Sequence, residues 1–209
     1  MRLEQRFSQF VQPATPVTRE AVAREVEASY RGHVAAEAEK YKRNPATIDQ
    51  ALGGPDVFLA IADSCYDYAM EGQLKTTGIG IQDDNWLDFA SFIYQARNDD
   101  EFHSANSLAP TLEKLFYLGA VRARLDIETI GEPAEAALPT ILQDDSGYLT
   151  LFEVAVLAQM IEKSVRNATQ PTAPDRLLTL KEGSRTVVDC HEALRWLKGR
   201  RNFKPTVLV

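Results

Sequence analysis

Residues 150–167 read TLFEVAVLAQMIEKSVRN. Apolar residues fill Leu151 to Ala158, the pattern stops at Gln159-Met160-Ile161, and a polar helical stretch begins at once. A helix broken over so short an interval makes physical sense if its two pieces cross steeply and share a core. Such a crossing needs a small residue on the first helix and apolar residues from both beneath it. Ala155 is the small residue, Val154, Leu157 and Ala158 line the first helix, and Val165 anchors the second. The second helix, about Glu162 to Thr169, then turns Lys163, Ser164, Arg166 and Asn167 outward. Thr150, with Glu153 three residues later, has the spacing of an N-cap in a capping box.

Downstream, Pro171 and Pro174 end the second helix. LLTLKEGSRTVVD (177–189) then reads as two β-prone runs around Glu-Gly-Ser, the pattern of a hairpin. CHEALRWLKGRR (190–201) follows as a helix with Ala193, Trp196 and Leu197 inward. Helix, turn, helix, hairpin, helix is the order of a winged helix-turn-helix.

The spacing of Ala155, Gln159 and Val165 resembles the helix-turn-helix unit of DNA-binding regulators. Leu149-Thr150, Glu153-Val154-Ala155, Lys163 to Arg166 (KSVR), Lys181-Glu182-Gly183-Ser184-Arg185 and Glu192-Ala193 before Trp196-Leu197 together resemble the excisionase-like branch of the MerR-type winged helix-turn-helix family. The likeness covers about sixty residues at the carboxy-terminal end.

The resemblance implies that the second helix enters the major groove of duplex DNA. Lys163 and Arg166 then face guanine O6/N7, Asn167 faces adenine N6/N7, and Ser164 meets a base edge or a phosphate. Thr150 is a phosphate contact at the start of the first helix, or only its N-cap. Lys181, Ser184 and Arg185 form the wing tip on backbone or minor groove, and Arg195, Lys198, Arg200, Arg201 and Lys204 extend the positive surface. Two residues depart from the family pattern. Gln159 stands where glycine is usual in the turn, and Ile161 stands where a serine-like cap is usual, so either the turn is remodelled or Met160 and Ile161 are covered.

The rest of the chain differs in charge and pattern. Met1 to Gly147 holds 13 basic and 24 acidic residues, against 10 and 6 in Tyr148 to Val209, for nets of −11 and +4. This split suggests two modules: an acidic helical domain over 1–146 and a DNA-binding domain over 147–209, with a boundary near Asp144 to Gly147. Val22, Val26, Tyr30, Val34, Ala38 and Tyr41 make one helical stripe over Thr18 to Arg43, ended by Asn44-Pro45. Further helices are expected from Pro55-Asp56 to Gly72, from about Asn85 to Arg97, from Pro110, and briefly around Pro133 to Leu142. The first seventeen residues, with PATP, are expected to be a mobile or loosely docked lead-in. The fold class is therefore mainly α, a helical amino-terminal domain followed by a winged helix-turn-helix with a small β-hairpin.

With 44% apolar and 25% charged residues the chain is an ordinary globular one. No run approaches the roughly 18 to 20 apolar residues of a membrane span, and MRLEQRFSQF lacks a secretory apolar region, so the expected compartment is the cytoplasm. Cys65 and Cys190 fit no metal-ligand spacing and are read as buried free thiols. No cofactor or metal is expected. Asp99, Asp100, Glu101 and His103 lie together, and His33 precedes Glu37 by four. Neither group has a partner legible in sequence, so Asn98 to Ser104 reads as a solvated loop and the chain as no enzyme.

The function expected is sequence-specific binding of double-stranded DNA by a transcriptional regulator. Because +4 is weak against a body of −11, a homodimer built through the helical domain, including the Thr18 to Arg43 stripe, is expected to read paired half-sites; sensing of a small-molecule or protein effector, or holding the basic module off nonspecific DNA by charge, are the other roles open to the acidic domain. Alternatives on the same scaffold are an architectural excisionase, a phage-type DNA adaptor, or an antitoxin-like protein-binding module.

Overall fold

The computed structural model describes residues 7–8, 11–105, 108–144 and 146–209. The chain is mainly helical with two small sheets. Helix α1 (Arg19–Tyr41) begins where the Thr18 hydroxyl accepts from the Ala21 N–H, and it ends in a left-handed Lys42. Val22, Val26, Tyr30, Val34 and Ala38 of its stripe are buried within the chain itself, while Tyr41 is exposed. The stripe, Tyr41 apart, is therefore spent on the chain's own core.

Asn44-Pro45 does more than stop this helix. The Asn44 side chain accepts from the Ala46 N–H at 2.9 Å, with Pro45 at the first helical position, and so starts α2 (Pro45–Leu52), a helix the sequence reading lacked. Helix α3 (Asp56–Ala69) follows, then β1 (Gln73–Leu74) and α4 (Ile79–His103). The expected loop at Asn98 to Ser104 is helical as far as His103. Asp99 is 2% exposed, and it can be buried because His33 Nδ1 and Gln95 Nε2 meet its two carboxylate oxygens, each at 2.9 Å.

Helix α5 (Pro110–Ile130) is the axis of the molecule. Every residue from Leu112 to Asp126 is buried, including Glu113, Lys114, Arg122, Arg124 and Asp126. Each charge is met from a distant part of the chain. Arg97 bonds both oxygens of Glu113. Lys114 Nζ donates to the carbonyls of Gln12, Pro13 and Thr15. The described part of the lead-in is therefore docked, with Phe7, Val11 and Val17 also buried. Trp86 lies over Gly119 and among Tyr68, Phe89 and Phe116, in edge-on geometry to all three.

After α6 (Glu132–Ala137) and a 3-10 turn (Thr140–Leu142), the chain forms β2 (Tyr148–Thr150), α7 (Leu151–Ala158), α8 (Glu162–Ala168), β3 (Leu180–Glu182), β4 (Arg185–Asp189) and α9 (Cys190–Leu197). Asp145, inside the boundary drawn from sequence, lies outside the described residues. Strands order β2-β4-β3, all antiparallel. The tail returns to the helical body as β5 (Val207–Leu208), parallel to β1. Arg122 fixes this return by donating to the Lys204 carbonyl and the Thr206 hydroxyl, each at 2.9 Å. One cluster of buried side chains runs from Phe7 to Phe203, with α9 and α7 both packed against α5. Among the described residues no helix is long and apolar enough to cross a membrane.

Candidate nucleic-acid interface

Thr150 and Glu153 form the reciprocal cap expected of them. The Thr150 hydroxyl accepts from the Glu153 N–H at 3.2 Å, and Glu153 Oε2 accepts from the Thr150 N–H at 2.6 Å. Glu153 is shared, since its other oxygen accepts from Arg124 Nη1 at 2.7 Å, and Arg124 Nη2 donates to Asp144 at 2.6 Å. The start of α7 is thus pinned to the central helix. Val154, Ala155, Leu157, Ala158 and Val165 are all buried.

The turn keeps its left-handed residue without glycine. Gln159 sits at φ 51°, ψ 46°, and the Met160 N–H donates to the Ala155 carbonyl, a Schellman-like closure. Ile161 begins α8 with no side-chain cap and is 55% exposed, whereas Met160 packs partly against the core. The turn backbone is thus not remodelled, and within the chain Met160 is partly covered while Ile161 is exposed.

Helix α8 has one buried side chain, Val165. Lys163, Arg166 and Asn167 are exposed at i, i+3 and i+4, hence on one face, and Ser164 is half-buried. Arg166 Nη2 donates to Glu162 at 2.6 Å, an exposed pair that a stronger anion can displace. On the hairpin, Gly183 takes φ 59°, and Ser184 completes a two-residue turn between Glu182 and Arg185. Lys181, Ser184 and Arg185 are exposed, with Lys181 Nζ donating across the ladder to Thr186 at 2.8 Å.

These candidates fall into three groups. Lys163, Ser164, Arg166 and Asn167 share α8. Thr150, through the pairing of β2 with β4, shares a polar cleft of about 400 Å³ with Arg185, Glu182, Arg124 and Glu153. Lys181 and Ser184 belong to the hairpin. The positive surface beyond α9 is smaller than expected. Arg195 is tied to Glu192 and Asp175, Arg200 lies over Trp196 and pairs with Asp175, and Lys204 pairs with Glu71. Lys198 and Arg201 stay exposed, as does Arg176 in the loop before the hairpin, which the sequence reading passed over. A lone arginine between Pro174 and Leu177 carries no periodic signal.

Both cysteines are buried free thiols; burial pushes the Cys190 thiol up to about 12 and raises Cys65 too. Among the described residues no three His, Cys, Asp or Glu side chains converge as a metal site requires. Comparisons with protein-family models, curated proteins and solved structures give no match for this chain.

Proposed function

We propose that residues 147–209 act as a winged helix-turn-helix and that the protein binds duplex DNA sequence-specifically, as a transcriptional regulator. The observation that carries the reading is the outward face of α8: Lys163, Arg166 and Asn167 in solvent, over a helix anchored by Val165 and, in part, Ala168. In this reading α8 lies in the major groove. Lys163 and Arg166 meet guanine, Asn167 meets adenine, and Ser164 meets a phosphate or base edge. Lys181, Ser184 and Arg185 follow the backbone or minor groove. Thr150 works first as the cap, with its phosphate contact secondary. Four cationic contacts from Lys163, Arg166, Lys181 and Arg185 give one module strongly salt-dependent binding, so two copies acting on paired half-sites are part of the proposal.

A second reading, a protein-binding module on the same elements, draws on Ile161. This exposed apolar side chain edges a groove with Val11, Pro13 and Phe152. Selection of bound fragments from a random duplex pool separates the two. The DNA reading expects an enriched motif, with half-site symmetry if two copies bind. Recovery of unselected sequence at low salt, or of nothing, favours the protein-binding module.

A further inference from the structure

The helical body holds a cavity of about 390 Å³ between α1, α2, α3 and α4, in the size range of small-molecule sites. Its apolar wall is Phe58 and Phe92, whose rings stack at 4.4 Å and 23°. Its polar groups come from two helices. On α4, Asp88, Ser91 and Phe92 are spaced i, i+3 and i+4 and share one face, which Gln95 and Asp99 continue. Across from them α1 contributes His33.

The buried Asp99 determines what His33 offers. Its carboxylate takes the His33 Nδ1–H at 2.9 Å and the Gln95 amide at 2.9 Å, so both oxygens are engaged and the ring is held in place. In the neutral ring, with Nδ1 donating, Nε2 is the position left to accept. Ser91 donates its hydroxyl proton to the Leu87 carbonyl at 2.9 Å, which leaves its oxygen as an acceptor as well. Asp88 is a carboxylate at the rim, exposed and without an ion pair among the described residues. Three polar groups of the cavity, His33 Nε2, Ser91 Oγ and Asp88, thus present acceptors beside an aromatic wall, in a body of net charge −11.

From this we infer that the cavity binds a small aromatic ligand bearing a protonated amine. An ammonium group brings three N–H donors and no acceptor, which matches His33 Nε2, Ser91 Oγ and Asp88, and its ring extends the Phe58–Phe92 stack. A carboxylate of the same shape meets the Asp88 carboxylate and the net negative charge of the body. The inference is independent of DNA binding.

Isothermal titration and thermal-shift measurements on the full chain at neutral pH, with 2-phenylethylamine as probe and 3-phenylpropionate as the anionic counterpart, test it. The expected result is saturable millimolar-or-tighter binding of the amine, a rise in Tm, and no response to the acid. Asp88→Asn, an exposed change that leaves the fold intact, weakens the amine about five-fold, the upper end for a single rim charge. Ser91→Ala weakens it further. Absence of amine binding, equal binding of the acid, or amine binding unchanged in both variants overturns the inference.

Discussion

Substituting Gly119 by alanine probes the centre of the molecule. In an exposed helix this change favours folding by about 1 kcal/mol. At Gly119 the new β-carbon falls inside the van der Waals envelope of Trp86 Cη2 and only 2.8 Å from its Cζ3. The indole cannot retreat easily, because it is 3% exposed and boxed in by Tyr68, Phe89 and Phe116 at ring separations of 6.3, 6.1 and 5.7 Å. Forcing a methyl into such packing costs about 1 to 3 kcal/mol, occasionally more. We take the upper half of that range, since the overlap is with the middle of a rigid ring. Less the gain in helix propensity, the net loss is about 1 to 2 kcal/mol, or a Tm roughly 2 to 8 °C lower for a chain of this size. Urea unfolding followed by circular dichroism measures it. Trp86→Phe makes room for the methyl, so the double variant should lose less than the sum of the singles. A Gly119→Ala protein as stable as the parent, or additivity with Trp86→Phe, would refute the packing of Trp86 on this glycine.

Three further outcomes follow. Gln159→Gly relieves a left-handed non-glycine residue, worth about 1 to 2 kcal/mol, against about 0.5 to 1 kcal/mol of added chain entropy; the side chain's 3.4 Å approach to the Asn202 carbonyl adds little, so the variant should be stabilised by about 0 to 1.5 kcal/mol, and a loss on thermal unfolding contradicts the turn. Thr150→Ala should lose about 1 kcal/mol as a cap while Thr150→Ser retains it, and a Thr150→Ala protein of full stability would remove the capping role. Burial pushes Asp126 up to about 6 despite its bonds from Tyr68 and Thr206. The folded chain therefore holds this proton between about pH 4 and 6 where the unfolded chain does not, and the stabilisation is present below about 4 and lost as pH rises through 6. Relative to Asp126→Asn, the parent should gain stability as pH falls from 7 to 4, up to about 3 kcal/mol; a pH-independent difference rejects the shift.

Legibility followed the range of the interactions. The buried stripe of α1, the capping box at Thr150 and the anchor Val165 all depend on neighbours within one or two turns, and the sequence carries them. Helix α2 is hidden in the sequence because Asn44-Pro45 is at once a stop for α1 and a good start for the next helix. The extension of α4 past Arg97 was missed because the burial of Asp99 rests on His33, 66 residues away. Lys114, Arg122 and Arg124 look like surface residues in sequence; their partners lie 20 to 102 residues away, and only the fold brings them together. Strands β1, β2 and β5, of two or three residues, are too short for any periodicity. At the candidate interface the exposed face of α8 could be read from the position of Val165. The capture of Arg195 and Arg200 by Asp175 could not, because it depends on how the 170–179 loop folds back.

The central claim concerns α8 on duplex DNA. Its most direct test is fluorescence anisotropy with a selected duplex over a range of salt concentrations, comparing the parent with Lys163→Ala/Arg166→Ala. Binding should be tight at low salt and fall steeply as salt rises. The double variant should bind more weakly, with discrimination between selected and scrambled duplexes reduced; if both cations neutralise phosphates, the slope of log K against log salt falls by about 1.8. No binding at low ionic strength, or a variant indistinguishable from the parent in affinity, slope and discrimination, would contradict the claim.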